Sequence, residues 1–267
     1  MLGFGVPQTA EALGNFADRF FRTMAELPQD LDEAIAQSRT ATQAALDDGH
    51  SRLQVELVFP EIDLQAISIA ELFAADFEAR YGDRFKILFP DAGAAALAKH
   101  RWGEKPYEIR GISELKAQIQ PDEQAFLMIA PSSVEVGPVE KFCEEASDRP
   151  VVMVNPRLED VATIGIGYAG RQLRERFLST LLSCYYLRPF EGGALRRSYP
   201  GPWEVWLETE SGYEKVAEES QKPVGDALDQ IIGRVQGAET EGSPAPGPTK
   251  RKGFLSGLQE FLRALSQ

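Results

Sequence analysis

The spacing of hydrophobic positions changes along the chain and separates helical segments from extended ones. Apolar residues recur every three or four positions over residues 9–27 and again over residues 31–46, which is the pattern of amphipathic helices. Pro28 suits the first turn of the second helix, and Gly49 ends it. The chain is therefore predicted to begin with two amphipathic helices.

Between residues 53 and 182, short apolar runs alternate with helical patterns. The runs are short enough to be strands that are buried on both faces of a sheet. The predicted strands are 53–59, 85–89, 107–112, 125–130 and 151–154, and the predicted helices are 63–81, 92–102, 135–146 and 170–182. Such alternation implies crossover connections and a mainly parallel sheet with helices on both faces.

After residue 182 the pattern changes to extended segments that follow one another closely. Residues 183–190 and 203–208 read as strands, and 212–218 follows a Ser-Gly turn that allows a hairpin. Pro223 then opens a last helix that runs through residue 235. We therefore predict an α/β fold: a mainly parallel, Rossmann-like sheet with helices on both faces and an antiparallel extension at one edge.

Composition divides the chain into a body and a basic tail. Residues 237–249 consist mostly of Gly, Ser, Pro, Thr and Glu, which is typical of a flexible linker because it buries little apolar surface. We assign residues 1–26 to an N-terminal amphipathic helix, 27–236 to a single α/β domain, and 250–267 to a basic C-terminal amphipathic helix.

The C-terminal helix combines a basic cluster with one apolar stripe. A basic amphipathic helix suits an anionic lipid surface or a groove on another protein. The alternative is that the tail folds back onto its own body. The residues expected to make the partner or membrane contact are Lys250, Arg251, Lys252, Phe254, Leu255, Leu258, Phe261, Leu262 and Leu265.

The overall charge and the rare residue types exclude several classes of protein. The net charge of −13 argues against a general nucleic-acid binder, because such proteins present basic surfaces to phosphate. No apolar run approaches the roughly 20 residues that span a bilayer, and the first residues lack a secretory pattern. We expect Cys143 and Cys184 to be reduced and buried, and His50 and His100 to lie at the surface. These observations predict a soluble, cytoplasmic protein.

Four predicted strands end in a proline that is followed by a polar residue. The four sites are Phe59-Pro60-Glu61, Phe89-Pro90-Asp91, Ala130-Pro131-Ser132 and Asn155-Pro156-Arg157. In a parallel sheet these strand ends meet at the carboxyl edge, where open α/β folds bind ligands. The alternative is that the prolines only terminate strands. The residues expected to form a ligand site are Asp91, Ser132, Ser133, Asn155 and Arg157.

The motifs of phosphate binding and nucleophilic catalysis give little support for an enzyme. A G-x-G-x-x-G sequence at residues 165–170 follows a polar loop rather than a strand, so a loop that leads into a helix is the better interpretation. Arg171 and Arg174, in that helix, are candidates to bind an anion or an acidic partner, or to form ion pairs. The chain has no P-loop, no nucleophile elbow and no cysteine with a histidine partner motif. We predict no catalytic residue, no metal site and no cofactor.

Several motifs together resemble a known family. The first half contains LQVELVFPE at 53–61 and LFPDAG at 88–93. The second half contains PSSVEV at 131–136, NPRLED at 155–160, LRERF at 173–177 and YPGPWEV at 199–205. Over residues 27–235 the chain is similar to the domain-of-unknown-function family of cyanobacteria and chloroplasts that includes the plant Low PSII Accumulation three protein. The resemblance implies a photosynthetic organism and a role in photosystem assembly, with photosystem II expected, and it implies no catalytic residues.

Three hypotheses follow from the residues and the resemblance. The leading one is a non-enzymatic assembly factor that binds photosystem intermediates or other assembly factors, at or near the thylakoid membrane. Its tail would be a second contact, to protein or to anionic thylakoid lipid. The alternative is a small-molecule or nucleotide-binding enzyme that uses a pocket at the carboxyl edge of the sheet. A third hypothesis is a regulatory module that senses a phosphorylated metabolite.

Overall fold

A computed structural model describes residues 26–60, 62–159 and 168–240. The helix predicted over residues 9–27 falls almost entirely outside this range, and so do the tail residues from Lys250 to Leu265. The strands of the described residues are β1 Arg52–Leu57, β2 Phe85–Phe89, β3 Glu108–Gly111, β4 Ala125–Ile129, β5 Val151–Val154, β6 Leu182–Phe190, β7 Gly193–Ser198, β8 Trp203–Thr209 and β9 Gly212–Glu219. The helices are α1 Leu31–Asp47, α2 Ala66–Tyr81, α3 Ala92–Trp102, α4 Val136–Ala146, α5 Tyr168–Arg176 and α6 Asp226–Thr240.

The strands of the described residues form one sheet in the order β3-β2-β4-β5-β1-β6-β7-β8-β9. Strands β1 to β6 pair in parallel, and β6, β7, β8 and β9 form an antiparallel meander. Each parallel strand except the last is followed by a crossover, whereas the meander needs only short turns. The predicted α/β class, the mainly parallel sheet and its antiparallel edge are confirmed.

Helices cover both faces of the sheet. Helices α1, α2 and α3 share one apolar core with residues such as Val152 of β5 and Leu187 of β6. On the other face, α4 and α5 pack on Val151 and Met153 of β5. Helix α6 packs through Leu228 on the antiparallel extension. Tyr186, which packs with Leu228 of α6, pairs with Glu56, and Met153, which packs under α4 and α5, pairs with Gln54. Glu56 and Gln54 point to the same face, so this second face carries two separate helical layers.

Some boundaries differ from the predictions for identifiable reasons. The helix predicted over 170–182 is wrong in its second half: α5 ends at Arg176, a 3₁₀ turn follows at Leu178–Thr180, and β6 begins at Leu182. The first described helix begins at Leu31 rather than near Pro28, because the Asp30 side chain caps it by accepting a hydrogen bond from the Glu33 N–H, 2.8 Å away. Helix α6 continues to Thr240, beyond the predicted start of the linker.

Strand β7 was not predicted because charged residues interrupt its apolar pattern. Arg196 on β7 is nonetheless buried, with its Nη1 2.5 Å from Glu204 Oε2 on the neighbouring strand β8. Trp206 Nε1 donates to the same carboxylate oxygen at 3.1 Å. A buried charge is costly without such partners. The partner of Arg196 lies on the next strand, so the hydrophobic pattern of β7 alone does not reveal it.

Candidate functional site

A cleft of ≈ 1060 Å³ opens at the carboxyl edge of the sheet. Its lining comes from the ends of β1 and β5, the segment after β4, the outer part of β6, the 3₁₀ turn before β6 and the segment before α6. The volume lies at the upper limit of the roughly 300–1,000 Å³ that is typical of small-molecule sites in proteins.

The position of the cleft follows from the strand order. The chain leaves β1 and reaches β2 on one side of the sheet, through α2 on one face. It leaves the neighbouring strand β5 and reaches β6 on the other side, through α5 on the opposite face. The connections from the neighbouring strands β1 and β5 therefore leave on opposite faces of the sheet, which makes this point a topological switch. In open α/β sheets, ligands bind in the crevice at such a switch point.

Strand β1 lies in the middle of the sheet but has one polar face. Leu53, Val55 and Leu57 are buried against α1 and α2, whereas Gln54 and Glu56 point to the other face and line the cleft. Parallel strands inside a sheet are normally apolar on both faces. Here the face over β1 lies between the layer of α4 and α5 and the layer of α6, so it forms the floor of the cleft.

Arg52, the first residue of that polar face, has a structural role. The Arg52 guanidinium donates to the carbonyl oxygens of Cys143 (2.5 Å) and Ser147 at the C-terminal end of α4. It also donates to the carbonyl oxygen of Arg149, 2.9 Å away. A cation at a helix C-terminus satisfies carbonyl groups that have no partner within the helix. Arg52 thus fixes α4 to the sheet and leaves Gln54 and Glu56 to the cleft.

Glu56 is the centre of a hydrogen-bonded cluster on the floor. Its Oε2 accepts hydrogen bonds from Ser183 Oγ at 2.9 Å and from Gln54 Nε2 at 3.2 Å. Lys222 Nζ lies 3.8 Å from its Oε1. Burial raises the pKa of Glu56 above its usual range, and the opposing effects of Lys222 and the Ser183 hydrogen bond are smaller.

Lys222 reaches the floor from the segment that precedes α6. Its Nζ lies 3.8 Å from the centre of the Tyr186 ring, an arrangement typical of a cation–π contact. Burial lowers the pKa of Lys222, the Glu56 charge opposes this shift, and the Arg188 charge adds to it. A carboxyl group with a raised pKa therefore faces an amine with a lowered pKa, and such pairs are concentrated at functional sites.

Arg188 lies beside this pair on the outer part of β6. Its side chain lines the cleft, and its Nε is buried without a hydrogen-bond partner in the described part of the chain. An arginine side chain is always charged and can only donate hydrogen bonds. Arg188 is thus a cation that lines the cleft and has no acidic partner in the described part of the chain.

Four of the five residues that the strand-end prolines predicted come together at the cleft. Ser132, Ser133, Asn155 and Arg157 all line it. The segments that carry them are joined by a parallel bridge between Ser132 and Arg157, and the Arg157 N–H donates to the Pro131 carbonyl at 2.7 Å. This bridge extends the β4–β5 pairing beyond the ends of the strands.

Each of these side chains already has a partner or is buried. Asn155 has a φ of +50° and accepts a hydrogen bond from the Leu57 N–H at 2.8 Å, so it joins the ends of β5 and β1. Ser132 Oγ donates to the Glu135 carboxylate at 2.5 Å. Arg157 pairs with Asp63 at 2.8 Å and is exposed. Ser133 is buried at the wall of the cleft.

The remaining predicted site residues lie elsewhere. Asp91 is exposed and caps α3, where its Oδ1 accepts a hydrogen bond from the Ala94 N–H at 2.9 Å. It is not part of the cleft lining. Arg174 on α5 pairs with Glu159, which lies on the rim of the cleft, and Arg171 is exposed on the same helix. Among these arginines, the structure connects only Arg174 with the cleft, through Glu159.

Several lining residues were not predicted, among them the polar and aromatic residues of the floor: Gln54, Glu56, Tyr186, Arg188 and Lys222. A signal was present for the first two. They alternate with buried apolar residues on a strand that the crossovers place inside a parallel sheet, and such a strand has no solvent-facing side unless the helical layer is interrupted. No comparable pattern marks Lys222, because its neighbours form neither a strand nor a helix.

Apolar side chains form the walls of the cleft. Ile62, Leu158 and Leu181 are buried there, and Leu178 and Pro189 are half-buried. Val58 lies at the mouth and is 42% exposed. The cleft therefore combines a charged floor with apolar walls, as small-molecule sites commonly do.

The two thiols lie outside the cleft lining, and both are free and buried, as predicted. Burial raises the pKa of Cys143 to about 12 and that of Cys184 to about 11, so both are protonated near neutral pH. His50 and His100 are exposed, also as predicted. Within the described ranges, no group of His, Cys, Asp and Glu side chains is arranged to hold a metal ion, and none of the helices has the length and apolar character needed to cross a membrane.

Comparisons with known proteins place the whole body in one family. No solved structure matches this chain. A family model described as "Domain of unknown function (DUF1995)" matches residues 28–230. The matched range begins just before α1 and ends within α6, so it includes every strand of the sheet and the complete lining of the cleft. Since the match covers more than half of the sequence, the chain belongs to the DUF1995 family.

Proposed function

We propose that this protein acts by binding a small molecule in the cleft at the β1/β5 switch point. The observation that carries the proposal is the polar floor on β1, a strand in the middle of the sheet. Parallel strands inside a sheet are normally apolar on both faces, so a polar face that opens into a cleft favours a site that meets the polar groups of a ligand. The organisation of the helical layers, which leaves this face accessible, supports the same proposal.

Retention of a ligand tests this proposal. The purified full-length protein is incubated with a small-molecule extract of photosynthetic cells, separated by gel filtration and analysed by mass spectrometry after denaturation. Val58→Trp narrows the mouth of the cleft at a partly exposed position, and Leu115→Trp is a matched control at a position that is 90% exposed and outside the lining. We expect wild type and Leu115→Trp to retain the same molecule and Val58→Trp to lose it. Equal retention by all three proteins, or none by wild type, contradicts the proposal.

A catalytic alternative uses the same cleft. Glu56 has a raised pKa and Lys222 a lowered one, with 3.8 Å between them, and pKa shifts in these directions are those of general acid and base residues. If the protein is an enzyme, it converts the retained molecule, and Glu56→Gln abolishes turnover while binding persists. Recovery of an unchanged molecule after prolonged incubation favours a binding protein.

We further propose that the biological role is photosystem assembly, with photosystem II as the expected client. The motif resemblance supports this role, and the family match over residues 28–230 is consistent with it but names no function. In this proposal the body binds assembly intermediates or assembly factors at or near the thylakoid membrane, and ligand occupancy of the cleft accompanies that binding. Affinity purification from a photosynthetic host, with the full chain and with a chain that ends at Thr240, tests the role. Recovery of photosystem subunits or assembly factors with both chains is the expected result.

A further inference from the structure

We infer that the ligand of the switch-point cleft is a small amphiphilic anion: a carboxylate or a phosphate ester that carries an apolar chain. The inference rests on the proposed function, since it names the class of molecule that the cleft binds. Its anionic group pairs with Arg188 and Lys222, and its apolar part lies against the walls.

The charged residues that line the cleft indicate that its ligand is an anion. Arg157 is paired with Asp63 at 2.8 Å, and Glu159 is paired with Arg174. Glu56 is matched by Lys222 at 3.8 Å. Among the charged lining residues in the described part of the chain, this leaves Arg188 as the cation without an acidic partner.

The chemistry of the Arg188 side chain points to the same class. It lines the cleft and has no acidic partner in the described part of the chain, so an anionic ligand in the cleft supplies the counter-charge that it lacks. Carboxylate and phosphate oxygens match the planar donor geometry of arginine better than other acceptors do. Lys222 and Arg188 line the same cleft, and the Lys222 Nζ lies 3.8 Å from the ring centre of Tyr186, which is two residues before Arg188 on the same strand, so the two cations are close enough to share one anion.

The walls define the other part of the ligand. Leu178, Leu181 and Pro189 line the cleft together with buried Ile62. Inorganic phosphate would leave these apolar surfaces in contact with water, whereas an alkyl chain buries them. The cleft thus distinguishes an amphiphilic anion from a free inorganic one.

Titration calorimetry on the full-length protein tests this inference. The probes are octyl phosphate, octanoate, inorganic phosphate and 1-octanol, all below micelle-forming concentrations. The two octyl anions distinguish a phosphate from a carboxylate head group. We expect at least one of them to bind about tenfold or more tightly than inorganic phosphate, because burial of the chain adds to the charge contact. We expect 1-octanol to bind more weakly than that anion.

Three variants test the assignment of the head group. Arg188→Gln is expected to weaken binding of the octyl anion by about tenfold or more, because it removes a charge-assisted contact. Lys222→Gln is expected to weaken it as well, because it removes the second cation that pairs with the anionic group. Arg101→Gln, at an exposed position on α3 outside the lining, is the control and is expected to have no effect. Thermal melting confirms that each variant is folded.

Several results overturn the inference. These are failure of both octyl anions to bind, or unchanged affinity in Arg188→Gln or in Lys222→Gln. If the ligand-retention experiment then yields a neutral or cationic molecule that Val58→Trp loses, the proposed function stands and only the ligand class is wrong. If wild type retains no molecule, the proposed function itself fails.

Discussion

The ammonium nitrogen of Lys222 lies 3.8 Å from the carboxylate of Glu56, although the two residues are far apart in the chain. Glu56 is on β1, the strand at the switch point, and Lys222 belongs to the segment before α6. Their contact joins the parallel part of the sheet to the segment that leads into α6, which covers the antiparallel extension. Because burial disfavours the charged form of each residue, each depends on the other to remain ionised.

This dependence predicts the effect of Glu56→Gln on Lys222. The Glu56 charge raises the Lys222 pKa against the effect of burial, so its removal is expected to lower the Lys222 pKa further. An NMR titration of labelled lysine side chains measures the shift. Lys99, which is exposed on α3, is the internal control and is expected to be unaffected. An unchanged Lys222 pKa contradicts the proposed coupling.

The raised pKa of Glu56 also predicts how stability depends on pH. Its folded pKa lies above the ordinary value of 4.5, so the protonated form is favoured in the folded state. The stabilisation from this group is fully present below pH 4.5 and is lost as the pH rises through the folded pKa. We therefore expect the free energy of unfolding of wild type, relative to Glu56→Gln, to fall as the pH increases across this window. Urea denaturation at a series of pH values provides the measurement, and a difference that rises with pH contradicts the assignment.

A second buried pair allows a test that concerns the fold alone. Lys86 on β2 is fully buried, and its Nζ lies 2.8 Å from Glu123 Oε1 and 2.7 Å from the Gln118 carbonyl oxygen. Lys86→Met leaves the Glu123 carboxylate buried without its counter-charge, so we expect a loss of about 3–5 kcal/mol in the free energy of unfolding.

The double variant Lys86→Met/Glu123→Leu is the matched control for that change. It removes both charges, so it is expected to be more stable than Lys86→Met alone. Chemical denaturation of wild type, both single variants and the double variant gives the coupling energy. Additive losses from the two single changes indicate that the pair does not interact as described.

The arrangement of hydrophobic residues was sufficient to predict most of the sheet. The apolar runs that became β2, β4 and β5 are bounded by prolines or polar residues, and they form strands that are buried on both faces. Strand β7 escaped prediction because Arg196 and Arg197 lie within it. The burial of Arg196 depends on Glu204 in the next strand, and this pairing is not visible in local periodicity.

The candidate site was predictable only in part, for a related reason. The strand-end prolines indicated the carboxyl edge and therefore Ser132, Ser133, Asn155 and Arg157, whereas Asp91 proved to be a helix cap. Arg188 lies on β6, and Lys222 lies in the segment before α6. The positions of both segments next to β1 depend on the strand order. Hydrophobic spacing identifies strands but does not order them, so these residues could not be assigned to the cleft.

The basic tail gives a prediction about membranes that rests on the sequence. Residues 250–267 combine a basic cluster with an apolar stripe, and each basic residue near an anionic surface contributes about 1 kcal/mol. We expect the full-length protein to float with liposomes that contain anionic lipid and not with neutral ones. Phe254→Asp and Leu258→Asp are expected to abolish flotation. Equal flotation of wild type and variants, or none with either lipid, excludes the membrane contact and favours a groove on a partner protein.

A crystallographic fragment screen on the full-length protein tests the central claim most directly, because it assumes nothing about the identity of the ligand. The claim is that the cleft at the β1/β5 switch point is a binding site, and that its polar floor makes it one. We expect bound fragments to concentrate in this cleft, with anionic fragments in contact with Arg188 and Lys222. Fragments that gather elsewhere on the protein while the cleft stays empty would contradict the claim.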